Sequence, residues 1–380
     1  MMFILDNFTV LVCILLLLFA VLSSFSDIFM KRIKTKNICA KENLKPVSVV
    51  IISDNNAQEL KENLALYLSQ DYSAGYEVIV AICKDEDGTR DVLESFSEYK
   101  NLYSTFVPTS SKYVSIYKLA ITLGVKAAKN ELILLTDASC KPITDKWIYS
   151  MTSACDESKD MVLGYSNYNK DTSPFRIFTH LYREYVMMYE VSKNRAYGYD
   201  GKNVMFRKSL FLSNDGFLGN LKYLRGEYDF LINKYAKDEK VTVNLSSECF
   251  LSEISPTNKE WHKKNLFYME TRKHLADRFM HRFICNMDCV SLYVGAIASI
   301  TAMIYGAMFS CWLMFTIAVV TLLVPIFIRL YNVSHVIKLF NVDIPLLKII
   351  SYEFFMFFHN LKYVILYFFS DKYEFISHKN

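Results

Sequence analysis

The chain has 380 residues, 52% apolar and 15% aromatic, with a formal net charge of +4. So apolar a composition excludes an intrinsically disordered protein, and so mild a basic balance gives no electrostatic reason to expect a nucleic acid partner. Nine cysteines without a C-x-x-C pair indicate neither a disulfide framework nor a zinc site, and they fit a reducing compartment.

Thr9–Ser23 is an almost unbroken apolar run, extendable to Met30 with Asp27 as its one charge. Phe8–Met30 therefore supplies the roughly 20 residues a helix needs to cross a bilayer. No basic region leads the segment, while Lys31, Arg32, Lys34 and Lys36 follow it. That asymmetry favours an uncleaved anchor over a cleaved signal peptide, with the amino terminus outside and the next domain in the cytoplasm. Residues 8–30 read as a transmembrane anchor and residues 45–284 as a cytosolic domain.

The first part of that domain, residues 45–145, alternates strands and helices. Val47–Ile52 reads as a buried strand, Glu59–Leu68 as an amphipathic helix and Glu77–Cys83 as a second strand, followed by the acidic loop Lys84–Asp87. Thr89–Tyr99 reads as a helix and Tyr103–Val107 as a third strand. The run KLAITLGVKAAKNELILLTDASCKP (Lys118–Pro142) then gives an amphipathic helix and a buried strand, Leu132–Thr136, ending on Asp137. Repeated β-α-β units imply a mostly parallel sheet covered on both faces. Open sheets of this kind bind ligands where their strands stop, and an aspartate there can hold a divalent ion against a diphosphate. A turn or helix-cap role is the alternative for such an acid.

Residues 146–258 carry a helix over Trp147–Cys155, a strand over Met161–Tyr165 and a long helix over Phe175–Asn194. A glycine-rich turn, Gly198–Asn203, leads into a strand at Val204–Phe206. Arg225–Asp229 is expected to cap a helix over Phe230–Lys237, through backbone amides that Asp229 or Glu227 can accept. Residues 259–284 form a basic, aromatic helix suited to an anionic membrane surface. Two apolar spans within 289–328 read as a transmembrane hairpin turning near Gly306, with Arg329 back on the cytoplasmic side. In residues 331–380, Pro345–Phe369 is interrupted by Lys348, Glu353, His359 and Lys362 and reads as interfacial or as a further span. So few spans with little polarity inside them speak against a transporter or channel.

The order of these features resembles the membrane-anchored family 2 glycosyltransferases over most of the chain. The resemblance rests on VSVVIIS (Val47–Ser53) with Asn56, EVIVA (Glu77–Ala81) with Asp87 and Thr89, and the Lys118–Pro142 run. It continues through Gly201–Asn203 with FRKSLF (Phe206–Phe211), GEYD (Gly226–Asp229), and SPTNKEW (Ser255–Trp261) ahead of the basic helix. It implies an α/β fold of GT-A type with an amino-terminal transmembrane anchor and carboxyl-terminal transmembrane helices. It also implies transfer of a sugar, with inversion, from a nucleotide-diphospho-sugar such as a UDP-sugar to a lipid-linked or polysaccharide acceptor in cell-envelope synthesis. Mg²⁺ or Mn²⁺ would serve as cofactor, and other glycan-synthesis proteins could be partners. Carried over by position, Asp137, Asp87, Lys118, Ser53 and Asn56 would bind the donor. Asp137 and Ser139 would take the two D-x-D metal positions. Gly201, Asn203 and Trp261 would lie on the acceptor side. Ser139 replaces the second D-x-D acid, and Tyr228 stands where the catalytic carboxylate is expected, so Asp229 or Glu227 would have to act as base. Lys264, Phe267 and Tyr268 replace a Q-x-x-R-W pattern, and about Cys83 stands where an acid near the nucleoside is expected. These replacements leave open a non-catalytic, binding or scaffold role at the membrane.

Overall fold

The computed structural model describes residues 6–33, 44–84, 87–108, 115–236, 240–276 and 278–376. Lys34 and Lys36 of the basic flank, the middle of the acidic loop at residues 85–86, and Lys237 lie outside the described residues. The chain divides into two compact units, one formed by residues 1–32 and 277–361 and the other by residues 33–276 and 362–380.

In the first unit, α1 (Asn7–Ser26) is capped by Asp6, whose carboxylate accepts the Thr9 amide at 2.9 Å. In the second unit, β1 (Val47–Asp54) lies inside a seven-stranded sheet. Its run of β-branched residues is buried on both faces, as a strand covered by helices on two sides requires. The strand–helix series continues with α2 (Ala57–Leu68), β2 (Tyr76–Lys84), α3 (Thr89–Ser95) and β3 (Leu102–Phe106), then α4 (Ile116–Ala127) and β4 (Leu132–Asp137). Gly124 lets α4 lie against β1, because a Cβ there would stand 2.6 Å from Val50 Cγ1.

Short pieces follow: β5 (Cys140–Pro142), α5 (Trp147–Ser153), β6 (Met161–Leu163) and β7 (Ser166–Tyr168), before the long α6 (Pro174–Ser192). Next come β8 (Val204–Arg207), α7 (Lys208–Ser213), α8 (Glu227–Tyr235), β9 (Val241–Val243), β10 (Leu251–Glu253) and α9 (Asn258–Thr271). The main sheet has the order β3-β2-β1-β4-β8-β6-β9, and β8 runs antiparallel to β4 and to β6. The chain moves outward from β1 to β3 and then crosses to the other side of β1 to make β4. The carboxyl ends of β1 and β4 thus flank a topological switch point, the usual ligand crevice of an open α/β sheet. Register pairs Ile52 with Asp137, which sets Ser53 and Asp54 just beyond the strand-end acid.

A second sheet, β5-β10-β7, pairs Glu253 with both Cys140 and Tyr168. These short strands are too brief to carry a periodic signal in the sequence. Helix α8 starts at Glu227, three residues earlier than expected, because Gly226 takes the left-handed conformation (φ +86°) that ends the preceding loop. The basic segment is not one helix: α9 ends at Thr271, and Arg278 and Arg282 fall in α10 (Arg278–Met308), which belongs to the first unit.

That first unit also holds α11 (Trp312–Leu339) and the start of α12 (Leu346–Phe369). Three described helices, α1, α10 and α11, are long and apolar enough to cross a membrane, and α12 is not among them. Arg329, read from the sequence as the basic end of the hairpin, is enclosed within this unit. It is buried, with Asp288 Oδ1 at 2.8 Å, Glu353 Oε2 at 3.3 Å and the Ser23 carbonyl at 3.0 Å.

Candidate functional site

At the carboxyl ends of β1 and β4 the structure brings together Asp54, Tyr117, Asp137, Ser139, Lys202, Arg225, Glu227 and Glu253. Asp137 Oδ1 accepts the Tyr117 hydroxyl, and its Oδ2 lies 3.1 Å from Lys202 Nζ. The same ammonium reaches Ser139 Oγ at 3.0 Å and Glu253 Oε1 at 2.9 Å. Burial opposes a charge on Lys202, but Asp137 and Glu253 outweigh it and hold the ammonium more firmly protonated than usual. Glu253 is raised by burial and pulled back below its ordinary range by Lys202.

A second cation lies alongside. Arg225 Nε is 3.6 Å from Glu227 Oε1, its NH1 is 3.9 Å from Asp54 Oδ2, and its guanidinium sits 4.5 Å over the Tyr117 ring. Glu227 Oε2 is buried and makes no hydrogen bond. The Tyr228 hydroxyl is likewise buried and unbonded, within electrostatic reach of Asp137 and Glu227. Asp229 faces elsewhere: its Oδ1 accepts the Tyr199 amide at 3.0 Å. Burial, reinforced by the nearby Asp200 charge, pushes the Asp229 carboxyl up to about 7.

Several residues expected at the donor have other partners. Lys118 is fully buried, and its ammonium donates to the carbonyls of Asn220 (2.9 Å) and Tyr223 (2.7 Å) and lies 4.6 Å over the Phe230 ring. Burial lowers it to about 8. Asp87 ties a loop to two helix starts, accepting the Ala57 amide at 2.7 Å and the Thr89 hydroxyl at 2.7 Å. Asn56 Oδ1 accepts the Asp54 amide at 3.4 Å, whereas the buried Ser53 hydroxyl makes no hydrogen bond at the end of β1.

On the acceptor side, Gly201 is needed for space, since a Cβ would stand 2.4 Å from the Tyr199 hydroxyl and 2.6 Å from Glu184 Oε1. The Asn203 amide is fully engaged: it donates to the carbonyls of Tyr165 (3.1 Å) and Cys249 (2.7 Å) and accepts from Trp147 Nε1 (3.1 Å). Trp261 is buried beside the Tyr168 ring and under Arg176. Lys264, at a Q-x-x-R-W position, donates to the Tyr168 hydroxyl at 2.8 Å and lies 3.6 Å from Asp200, inside a buried network with His180 and Glu184.

The expected Mg²⁺ or Mn²⁺ does not fit this donor set. Both Asp137 oxygens and the Ser139 hydroxyl are already bonded, and an ammonium stands between them and Glu253. No group of three His, Cys, Asp or Glu side chains able to hold a metal ion occurs among the described residues. Sequence reasoning missed Lys202, Tyr117, Arg225 and Glu253. Lys202 alone carried a signal, as the charged residue between Gly201 and Asn203.

Residues 48–225 match the family described as Glycosyl transferase family 2, which covers both strand ends and the Lys202 turn. The resemblance seen in the motifs is thus borne out, and the domain has the α/β fold of GT-A type. No curated protein matches the chain. Among solved structures, the mannosyltransferase PcManGT from Pyrobaculum calidifontis, in complex with GDP-Man and Mn²⁺, is similar at TM-score 0.49 and 15% identity. That match covers 85% of this chain and 98% of the other. S. aureus TarS is similar at TM-score 0.43 and 14% identity, covering 64% of this chain and 42% of its own. GalNAc-T7 with UDP, GalNAc and Mn²⁺ is similar at TM-score 0.44 and 11% identity, covering 61% and 48%.

Proposed function

We propose that the protein is a membrane-bound, inverting glycosyltransferase that moves a sugar from a nucleotide-diphospho-sugar to a lipid-linked or polysaccharide acceptor. The observation that carries this reading is the family match over residues 48–225, which spans the switch point where Lys202 and Arg225 converge. A diphosphate leaving group gathers negative charge as the sugar bond breaks, and fixed cations at that point stabilise it. The attacking hydroxyl of the acceptor must lose a proton, and Glu227 is the better placed of the two candidate bases. One of its oxygens is unbonded, while Asp229 is turned to the Tyr199 amide. The acceptor hydroxyl then bonds to the anomeric carbon from the face opposite the diphosphate, which departs with the bonding pair.

Work at a membrane is supported by three helices of spanning length and composition. Lys31 and Arg32 after α1 support a cytoplasmic domain, and the basic residues of α9 support contact with anionic lipid. A UDP-sugar donor and a role in cell-envelope glycan synthesis, with other synthesis proteins as partners, extend the same reading. A second reading is a non-catalytic binding protein, favoured by one observation: a buried tyrosine hydroxyl, Tyr228, at the expected base position.

The test is incubation of the full chain in native-like membranes with a panel of UDP- and GDP-sugars, following nucleotide release and sugar incorporation into lipid. Turnover abolished by Asp137→Ala supports the enzyme. Nucleotide binding without turnover across the panel supports the non-catalytic reading.

A further inference from the structure

We propose that Lys202 is a built-in cation that takes the place of a divalent ion at the donor diphosphate, so that nucleotide binding is independent of metal and dependent on Lys202. This rests on reading the domain as a nucleotide-sugar transferase.

The turn that carries Lys202 is fixed on both sides. Gly201 sits where no Cβ fits, and the Asn203 amide is bonded three ways. The Lys202 amide itself donates to Ser166 Oγ at 3.2 Å. The side chain is therefore delivered to one place, where its ammonium touches Asp137, Ser139 and Glu253 together. A divalent ion entering there would meet a positive charge within contact distance of the oxygens it needs, and like charges at such range repel strongly.

The cation is also the most exposed of the three charged groups in contact. The Lys202 side chain keeps 22% of its surface exposed, against 8% for Asp137 and 7% for Glu253. Arg225, at 40% exposure, adds a second cation within electrostatic reach of Asp137. The carboxylates here position an ammonium; they do not chelate a metal. Lys202 is in this sense a diphosphate-binding residue, and Asp137 and Glu253 are positioning residues for it.

The experiment is calorimetric titration of the full-length, detergent-solubilised protein with UDP and GDP, once in EDTA and once in Mn²⁺, for wild type, K202M and K202R. Wild type is expected to bind equally in both conditions. K202M is expected to bind about tenfold more weakly or worse in EDTA, the loss of one charge-assisted contact. It should recover in Mn²⁺, because removal of the ammonium leaves Asp137, Ser139 and Glu253 as an all-oxygen set for a hard ion. K202R, which keeps the charge, is expected to bind without metal. A wild type that needs Mn²⁺, or a K202M that binds as wild type does in EDTA, would overturn this inference and leave the transferase reading standing. Silence of the folded wild type in both conditions would overturn the transferase reading and this inference with it.

Discussion

The Asn203 side-chain oxygen accepts the indole N–H of Trp147 at 3.1 Å, while its amide nitrogen donates to the carbonyls of Tyr165 and Cys249. One buried side chain thus joins α5, the end of β6 and the loop before β10. Asn203→Ala would orphan the Trp147 N–H and the Cys249 carbonyl, while the Tyr165 carbonyl keeps the Leu251 amide, and is expected to cost about 3 kcal/mol of stability. Thermal unfolding of the purified protein measures it. Nucleotide binding by the fraction that remains folded should weaken, because the turn that delivers Lys202 loses one of its two anchors. An acceptor-binding role would instead show as lost transfer with unaltered stability.

Glu227 and Asp229 share the first turn of α8 but face different surroundings, so their neutral variants should separate. Glu227→Gln is expected to keep nucleotide binding and lower kcat by about a hundredfold or more, the usual contribution of a general base. Asp229→Asn keeps an oxygen for the Tyr199 amide and should lower kcat by less than about tenfold. Steady-state transfer rates at saturating donor decide between them, and the reverse order would give the base role to Asp229.

The sequence exposed the sheet well and the site poorly, for physical reasons. Strands β1, β2 and β4 are long, β-branched and buried on both faces, so each shows as a continuous apolar run ending near its true terminus. Asp137 was legible because it ends such a run. Glu253 was not, because β10 has three residues and acquires its place through pairing with β5 and β7 across more than eighty positions of chain. Lys118 misled for a related reason. Nothing local shows that a lysine on an amphipathic helix is turned inward to the carbonyls of Asn220 and Tyr223. Arg329 likewise looked like the basic end of a span until α1, α10 and α12 surrounded it with a carbonyl and two carboxylates.

That Arg329 cluster gives a prediction for the first unit. Truncation of one member of a buried ion-pair group leaves uncompensated charge behind, at a cost of about 3–5 kcal/mol. Arg329→Leu should therefore lower the melting temperature in detergent sharply. Glu353→Gln, which keeps a hydrogen-bonding group for the guanidinium and leaves Asp288 as its counter-charge, should do far less. Equal melting of the two variants would mean that the guanidinium is solvated and the cluster adds nothing.

Asp229 also carries a pH dependence whose sign is fixed. Burial raises its carboxyl to about 7 in the folded protein, while in the unfolded chain it titrates near the ordinary value of about 4. Below about pH 4 both states hold the proton and the residue adds no pH dependence. Between about 4 and 7 the folded state keeps the proton that the unfolded state has lost, so stability falls as pH rises. Above 7 both are ionised and the full penalty of a buried carboxylate remains. Asp229→Asn removes that penalty and keeps the acceptor for the Tyr199 amide. The variant should therefore match wild type closely near pH 4 and become the more stable of the two by pH 8, by an amount on the order of 2–4 kcal/mol. Paired thermal or denaturant unfolding of wild type and variant from pH 4.5 to 8.5 reads the difference directly, and other titrating groups cancel in it. A difference that stays flat across this range would place the folded Asp229 carboxyl at its ordinary value and remove burial as the force acting on it.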